Sequence, residues 1–164
     1  MAEPLEEQLL AAIVTALESM TGTRYFGSEY PNIPVVGRDP VLVNGLASFP
    51  YLAVYTAGGG YTLGEGEEGL VTTGGGLGYE NRFSFFLAGF VQPTSQFSGD
   101  TWRLRLRKDA LDTIAKLTAP LNTLPQLRSI YPDGESEFDD GELNGIRLFT
   151  QRYRTTFDDV LAIP

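Results

Sequence analysis

The 164 residues predict an α+β fold: a mostly antiparallel sheet with two helices packed on one face and a long glycine-rich β-hairpin arm. Three observations carry that expectation. Two segments place apolar residues at helical spacing, three place aromatic and β-branched residues at strand spacing, and ten of the 19 glycines crowd into residues 58–78. The order is helix, strand, arm, strand, helix, strand, and strands joined directly pair antiparallel. One domain, residues 1–164, accommodates all of it.

The first helix reads from Pro4 to Met20, where Leu5, Leu9, Ala12, Ile13, Ala16, Leu17 and Met20 recur every three or four residues. Pro4 suits a first-turn position. Glu3, Glu6 and Glu7 lie where the positive end of the helix dipole favours carboxylates, and Thr21-Gly22 supplies a stop. From Thr23 to Phe49 the pattern dissolves into Tyr-Pro, Ile-Pro, Asp-Pro and Asn-Gly punctuation. This reads as a long ordered connection with a short strand at Val41 to Val43.

Pro50 to Ala57 reads as a strand, with Leu52 and Val54 on one face and Tyr51 and Tyr55 on the other. The arm, residues 58–78, follows. Tyr61, Leu63, Leu70 and Val71 are its large apolar residues, and glycine loses more backbone entropy on ordering than any other residue. The arm is therefore expected to project from the sheet and to order against a neighbour. Tyr79 to Val91 is the most apolar strand and belongs in the centre of the sheet: Phe83, Phe85, Leu87 and Val91 face one side, Phe86, Ala88 and Phe90 the other.

A second helix, capped by Asp100 or Thr101, runs to about Ala119, with Leu106, Ala110, Ile114 and Leu117 as its buried stripe. The alternation Trp102-Arg103-Leu104-Arg105-Leu106 is also compatible with a strand end. An acidic loop, residues 132–142, precedes a last strand from Ile146 to Phe157, with Phe149, Tyr153 and Phe157 on one face and arginines and threonines opposite.

Composition removes most catalytic designs. Histidine and cysteine are both absent, which excludes imidazole catalysis, thiolate chemistry, disulfides and zinc sites of the usual nitrogen and sulfur ligands. Serine would need an activating base, and neither Lys108 nor Lys116 stands in a Ser-x-x-Lys pattern. The expectation is a protein that is not an enzyme and takes no cofactor. The acidic start Met1 to Glu7 lacks the basic region of a signal peptide, and no apolar run is long enough for a bilayer. A net charge of −9 repels nucleic acid and anionic membranes, yet suits a wall past which DNA slides without being retained.

Three motifs bear on binding. Gly64-Glu65-Gly66-Glu67-Glu68-Gly69 matches G-x-G-x-x-G, but its glutamates repel a pyrophosphate and no helix pattern follows. The run Asp133, Glu135, Glu137, Asp139, Asp140 and Glu142 has the oxygen ligands for calcium without EF-hand spacing, and reads first as a solvated loop or interaction patch. Arg103, Arg105, Arg107 and Lys108 form a basic cluster, partly neutralised by Asp109 and Asp112, that reads as a solvated helix face or as a salt-bridge surface between subunits. Its complement would be the acidic loop of a neighbouring copy.

The element order of helix 6–20, strand 51–57, glycine-rich arm, strand 82–91, helix 109–119 and strand 146–157 resembles that of tail-terminator proteins of long-tailed bacteriophages. That resemblance implies a virion structural protein, assembled in the host cytoplasm. It would be a homo-oligomer, a hexameric ring, that caps the head-proximal end of the tail tube, ends tube growth and offers a docking face to the head-tail connector. DNA would pass through without specific binding. On this reading Tyr61, Leu63, Leu70, Val71 and the basic cluster lie at subunit interfaces. Glu65, Glu67, Glu68 and the acidic run from Asp133 to Glu142 face the lumen or a partner. The alternative is a small-ligand or carbohydrate-binding module, with or without calcium, that uses the aromatic sheet and the acidic loop.

Overall fold

Apolar spacing along residues 5–18 folds as expected: α1 spans Leu5–Glu18 and buries Leu9, Leu10, Ile13 and Leu17. The computed structural model describes residues 3–20, 25, 34–39, 49–62, 76–118, 124, 126–139 and 145–162. The helix stops short of the expected Thr21-Gly22. The amides of Ser19 and Met20 turn to the carbonyls of Ala16 and Leu17, three residues back, which tightens the last turn.

The second helix, α2, spans Gly99–Thr118 and includes the 102–106 alternation. Its cap is Ser98, in place of Asp100 or Thr101: the Ser98 hydroxyl accepts the Thr101 amide at 3.2 Å, and its carbonyl accepts the Trp102 amide at 3.2 Å. Trp102, Leu106, Ala110 and Ile114 form the buried stripe. The Trp102 indole donates to Thr94 Oγ1 at 2.9 Å, so its polar edge is satisfied inside the core.

Among the described residues six strands form one sheet: β1 (Val35–Gly37), β2 (Tyr51–Thr62), β3 (Gly76–Val91), β4 (Leu127–Pro132), β5 (Glu137–Asp139) and β6 (Arg147–Ala162). The order is β1-β2-β3-β6-β4, with β5 also paired to β6. Among the described residues only β1 runs parallel to its neighbour; the other pairings are antiparallel. β3 is central, as its apolar sequence predicts. The expected strand at 41–43 lies outside the described residues, and the short strand observed is at 35–37. β4 and β5 were not expected, and β5 lies within the acidic loop. β6 runs five residues past the expected end at Phe157.

Both helices pack on one face. Leu52, Val54, Phe83, Phe85, Leu87, Val91, Phe149, Tyr153 and Phe157 point into that layer. The Phe85 and Tyr153 rings stack at 5.0 Å and 3°. Gly89 leaves room for its cross-strand partner, because a Cβ there would stand 2.3 Å from the Phe149 ring. A second, smaller cluster of Ala53, Ala88 and Phe90, flanked by Phe49, Tyr51, Tyr55 and Leu148, lies on the other face, as the alternation predicts.

Candidate assembly surface

Helical geometry takes the basic cluster apart. With about 100° between successive residues, Arg103 and Arg107 share one side of α2 while Arg105 points away. Arg103 is 5 % exposed. Its guanidinium pairs with Asp100 and donates to the carbonyls of Asp139 at 3.1 Å and Leu148 at 3.4 Å. It also lies over the Phe138 ring at 4.7 Å. Arg107 donates to Ser136 Oγ, and Ser136 donates to Gln151 Oε1 at 2.5 Å. Gln151, buried on the core face of β6, donates to the carbonyls of Gly134 and Arg152. Together these bonds tie the first half of the acidic loop to α2 and β6 of the same chain.

Arg105 is held in an aromatic cage, its guanidinium carbon 4.2 Å from the Phe97 centroid, 4.9 Å from Tyr25 and 5.1 Å from Trp102. Lys108 pairs with Asp112 at 2.7 Å, and both side chains are about half exposed, a pair of modest worth. The cluster is one feature in sequence and three in space.

In the acidic segment, Asp133 accepts Arg154 at 3.1 Å and faces Arg152 at 3.9 Å. Glu135, Glu137 and Asp139 are exposed. Asp140 and Glu142 lie outside the described residues, as do Leu63, Glu65, Glu67, Glu68, Leu70 and Val71 of the arm. Among the described residues no three acidic groups converge to hold a metal ion. Burial holds the Tyr55 and Tyr153 phenols above their ordinary range, which keeps them protonated and suits packing more than proton transfer.

The strands themselves supply the feature that motif reading missed. The β3–β6 ladder runs unbroken from Val91↔Arg147 to Gly76↔Ala162, and β2 stays paired with β3 as far as Thr62↔Glu80. Tyr61 stands opposite Asn81 in that ladder. The helical layer ends near there: Asn81 is fully buried and donates to Glu6 Oε1, in the first turn of α1, at 2.7 Å. Beyond it β2 stays paired for one more residue, Thr62↔Glu80, and among the described residues β3 and β6 alone continue as a two-stranded ladder to Gly76↔Ala162. The base of the arm is thus wider than the expected hairpin, because the C-terminal strand joins it.

On the outer side of β2, β1 covers only Tyr51 to Ala53. Among the described residues no strand pairs with the rest of that edge. Where β1 ends, a groove of about 590 Å³ opens between α1 and β2, lined by Pro4, Glu6, Glu7, Leu10, Arg38, Thr56, Gly58, Gly59 and Phe83. The register shifts there between Thr56 and Gly58, a bulge of the kind found at sheet edges.

The sequence matches no family model and no curated protein. Among solved structures, the chain is similar to one from the virion of a native gene transfer agent particle, with 12% identity, a TM-score of 0.48, and coverage of 96% of this chain and 100% of that one. It is also similar to the sheath/tube terminator of an extracellular contractile injection system, PVC, in its extended state. There the identity is 10% and the TM-score 0.49; the match covers 100% of this chain, which spans 61% of the other's length.

Proposed function

We propose that the chain is a structural subunit of a tailed virion or a related tail-like particle, and that it assembles into a ring capping the head-proximal end of the tail tube. One observation carries the reading: β3 and β6 stay paired to Gly76↔Ala162, past the last described pairing of β2 at Thr62↔Glu80, and so offer strand edges to another molecule. Such a ring ends tube growth on one side and gives a head-tail connector its docking face on the other. Six copies are what the likeness in element order implies. A charge of −9 suits a passage through which DNA slides without specific contacts.

The ligand-binding alternative draws on the acidic segment, where Asp133 is already committed to two arginines. Electron microscopy of the purified protein, alone and with polymerising tail-tube protein, tests the proposal. Rings, together with tubes whose growth stops when the protein is added, are expected. A monomer at every concentration that leaves tube growth unchanged contradicts it.

A further inference from the structure

Building on the ring reading, we infer that neighbouring copies join by strand addition: the outer edge of β6 in one copy, at residues 159–162, pairs with the outer edge of β2 in the next, at residues 54–62. The two edges lie on opposite sides of β3 and are staggered along it: residues 54–62 of β2 stand beside 80–87 of β3, and residues 159–162 of β6 beside 76–79. On the β6 side, the ladder with β4 ends at Leu127↔Phe157, and the Asp158 amide donates to the Gln126 carbonyl at 2.9 Å. Past that bond, among the described residues, β6 pairs only with β3. On the β2 side, β3 is the only strand partner after Ala53 among the described residues. Unpaired strand edges are templates for another chain, and proteins that keep them long use them or blunt them.

The β2 edge is built to admit a strand closely. A Cβ at Gly58 would meet nothing within 4 Å, and one at Gly59 only ordinary contacts at 3.5 and 3.6 Å, so the glycines leave space that no side chain of this chain fills. The groove beside them is floored by Leu10 and Phe83 and rimmed by Glu6, Glu7 and Arg38. An apolar strand suits that floor, and after Asp159 the β6 edge runs Val160-Leu161-Ala162. β2 and β6 both run antiparallel to β3 and are therefore parallel to each other. Rotation about a ring axis preserves that direction, so the joint is a parallel pairing that extends the sheet. Because the two edges differ, the contact is head-to-tail, the type that closes into rings.

Engineered cysteines test this cleanly, since the chain has none of its own. Paired strands lie about 4.8 Å apart, within the Cα separation a disulfide accepts. Under mild oxidation, protein carrying both Gly59→Cys and Leu161→Cys should yield a ladder of multiples of 17.9 kDa. Mixed single variants should yield dimers only. Gly58→Cys and Val160→Cys repeat the test one residue along, with circular dichroism confirming the fold. Rings in micrographs without crosslinks at any pairing of 58–60 with 159–162 overturn the edge joint and leave the ring standing. Dimers from Gly59→Cys alone, which mark two-fold pairing of β2 edges, also overturn it. A monomer with neither rings nor crosslinks overturns both readings.

Discussion

The same two strands, β3 and β6, live in two environments. From Phe83 to Val91 and from Arg147 to Phe157 they lie under two helices, with Phe85, Leu87, Phe149 and Phe157 sealed from solvent. From Gly76 to Glu80, and from Asp158 to Ala162, the ladder continues past the last residue, Asn81, that is tied to the first turn of α1. The body is specified by apolar contacts made within the chain. This overhang is held by its backbone ladder and, at its root, by the exposed Arg128–Asp158 and Arg82–Glu80 ion pairs, which are worth little, so its stability depends on what is laid against it. A long strand can thus be fold at one end and interface at the other.

The largest effect should come from the body. Phe149→Ala removes the ring that covers Gly89 and is expected to cost about 3–5 kcal/mol in urea unfolding of the isolated protein. If the overhang carried the fold, that cost would be far smaller. Next comes the contact that ties the acidic loop to the body. Arg103→Ala leaves the carbonyls of Asp139 and Leu148 without their charged donor, a loss of about 2 kcal/mol by the usual worth of such bonds. The Asp100 partner is 60% exposed and adds little to that figure.

A third test uses pH. Burial raises the Tyr153 phenol above its ordinary value of 10.0, while Arg107 lowers it and Asp112 raises it. The folded state therefore holds the proton more tightly than the unfolded chain. That contribution is fully present below about pH 10 and drains away as pH climbs toward the folded-state value. Tyr153→Phe should track the parent protein up to that pH in urea titrations and then become the more stable of the two. Parallel curves throughout would place the hydroxyl in solvent.

The smallest effect on stability should fall on the overhang. Gly58→Lys has space for its Cβ and should move the unfolding free energy by no more than about 0.5 kcal/mol. A lysine on a strand edge discourages pairing, so ring yield should fall even though the monomer is unharmed. Loss of monomer stability with rings intact would reverse the contrast between the two regions.

Legibility in the sequence followed the same division. Both helices and the body portions of β2, β3 and β6 were readable because dense apolar periodicity and burial coincide there. β5 was not, since Glu137, Phe138 and Asp139 are all exposed and the strand is held by Arg103 and β6, partners distant in sequence. β4 hid behind a register shift between Leu127 and Ser129 that breaks the two-residue period. The last strand was expected to end at Phe157, but pairing of Asp158 with Glu80 and of Asp159 with Tyr79 carries β6 onward. The basic cluster misled in the opposite way: neighbours in sequence, its arginines part company once wound into α2. The groove beside Gly58 and Gly59 gave no signal beyond the glycines, because its walls come from α1, the residue after β1, and β3.

Hydrogen exchange on the same protein, dilute and assembled, tests the central claim most directly. Amides of residues 83–91 and 147–157 should be protected in both states, while those of 57–62, 76–80 and 159–162 should gain protection only on assembly. Equal protection of the overhang in the dilute chain, unchanged when rings form, would show that it needs no neighbour and would contradict the account.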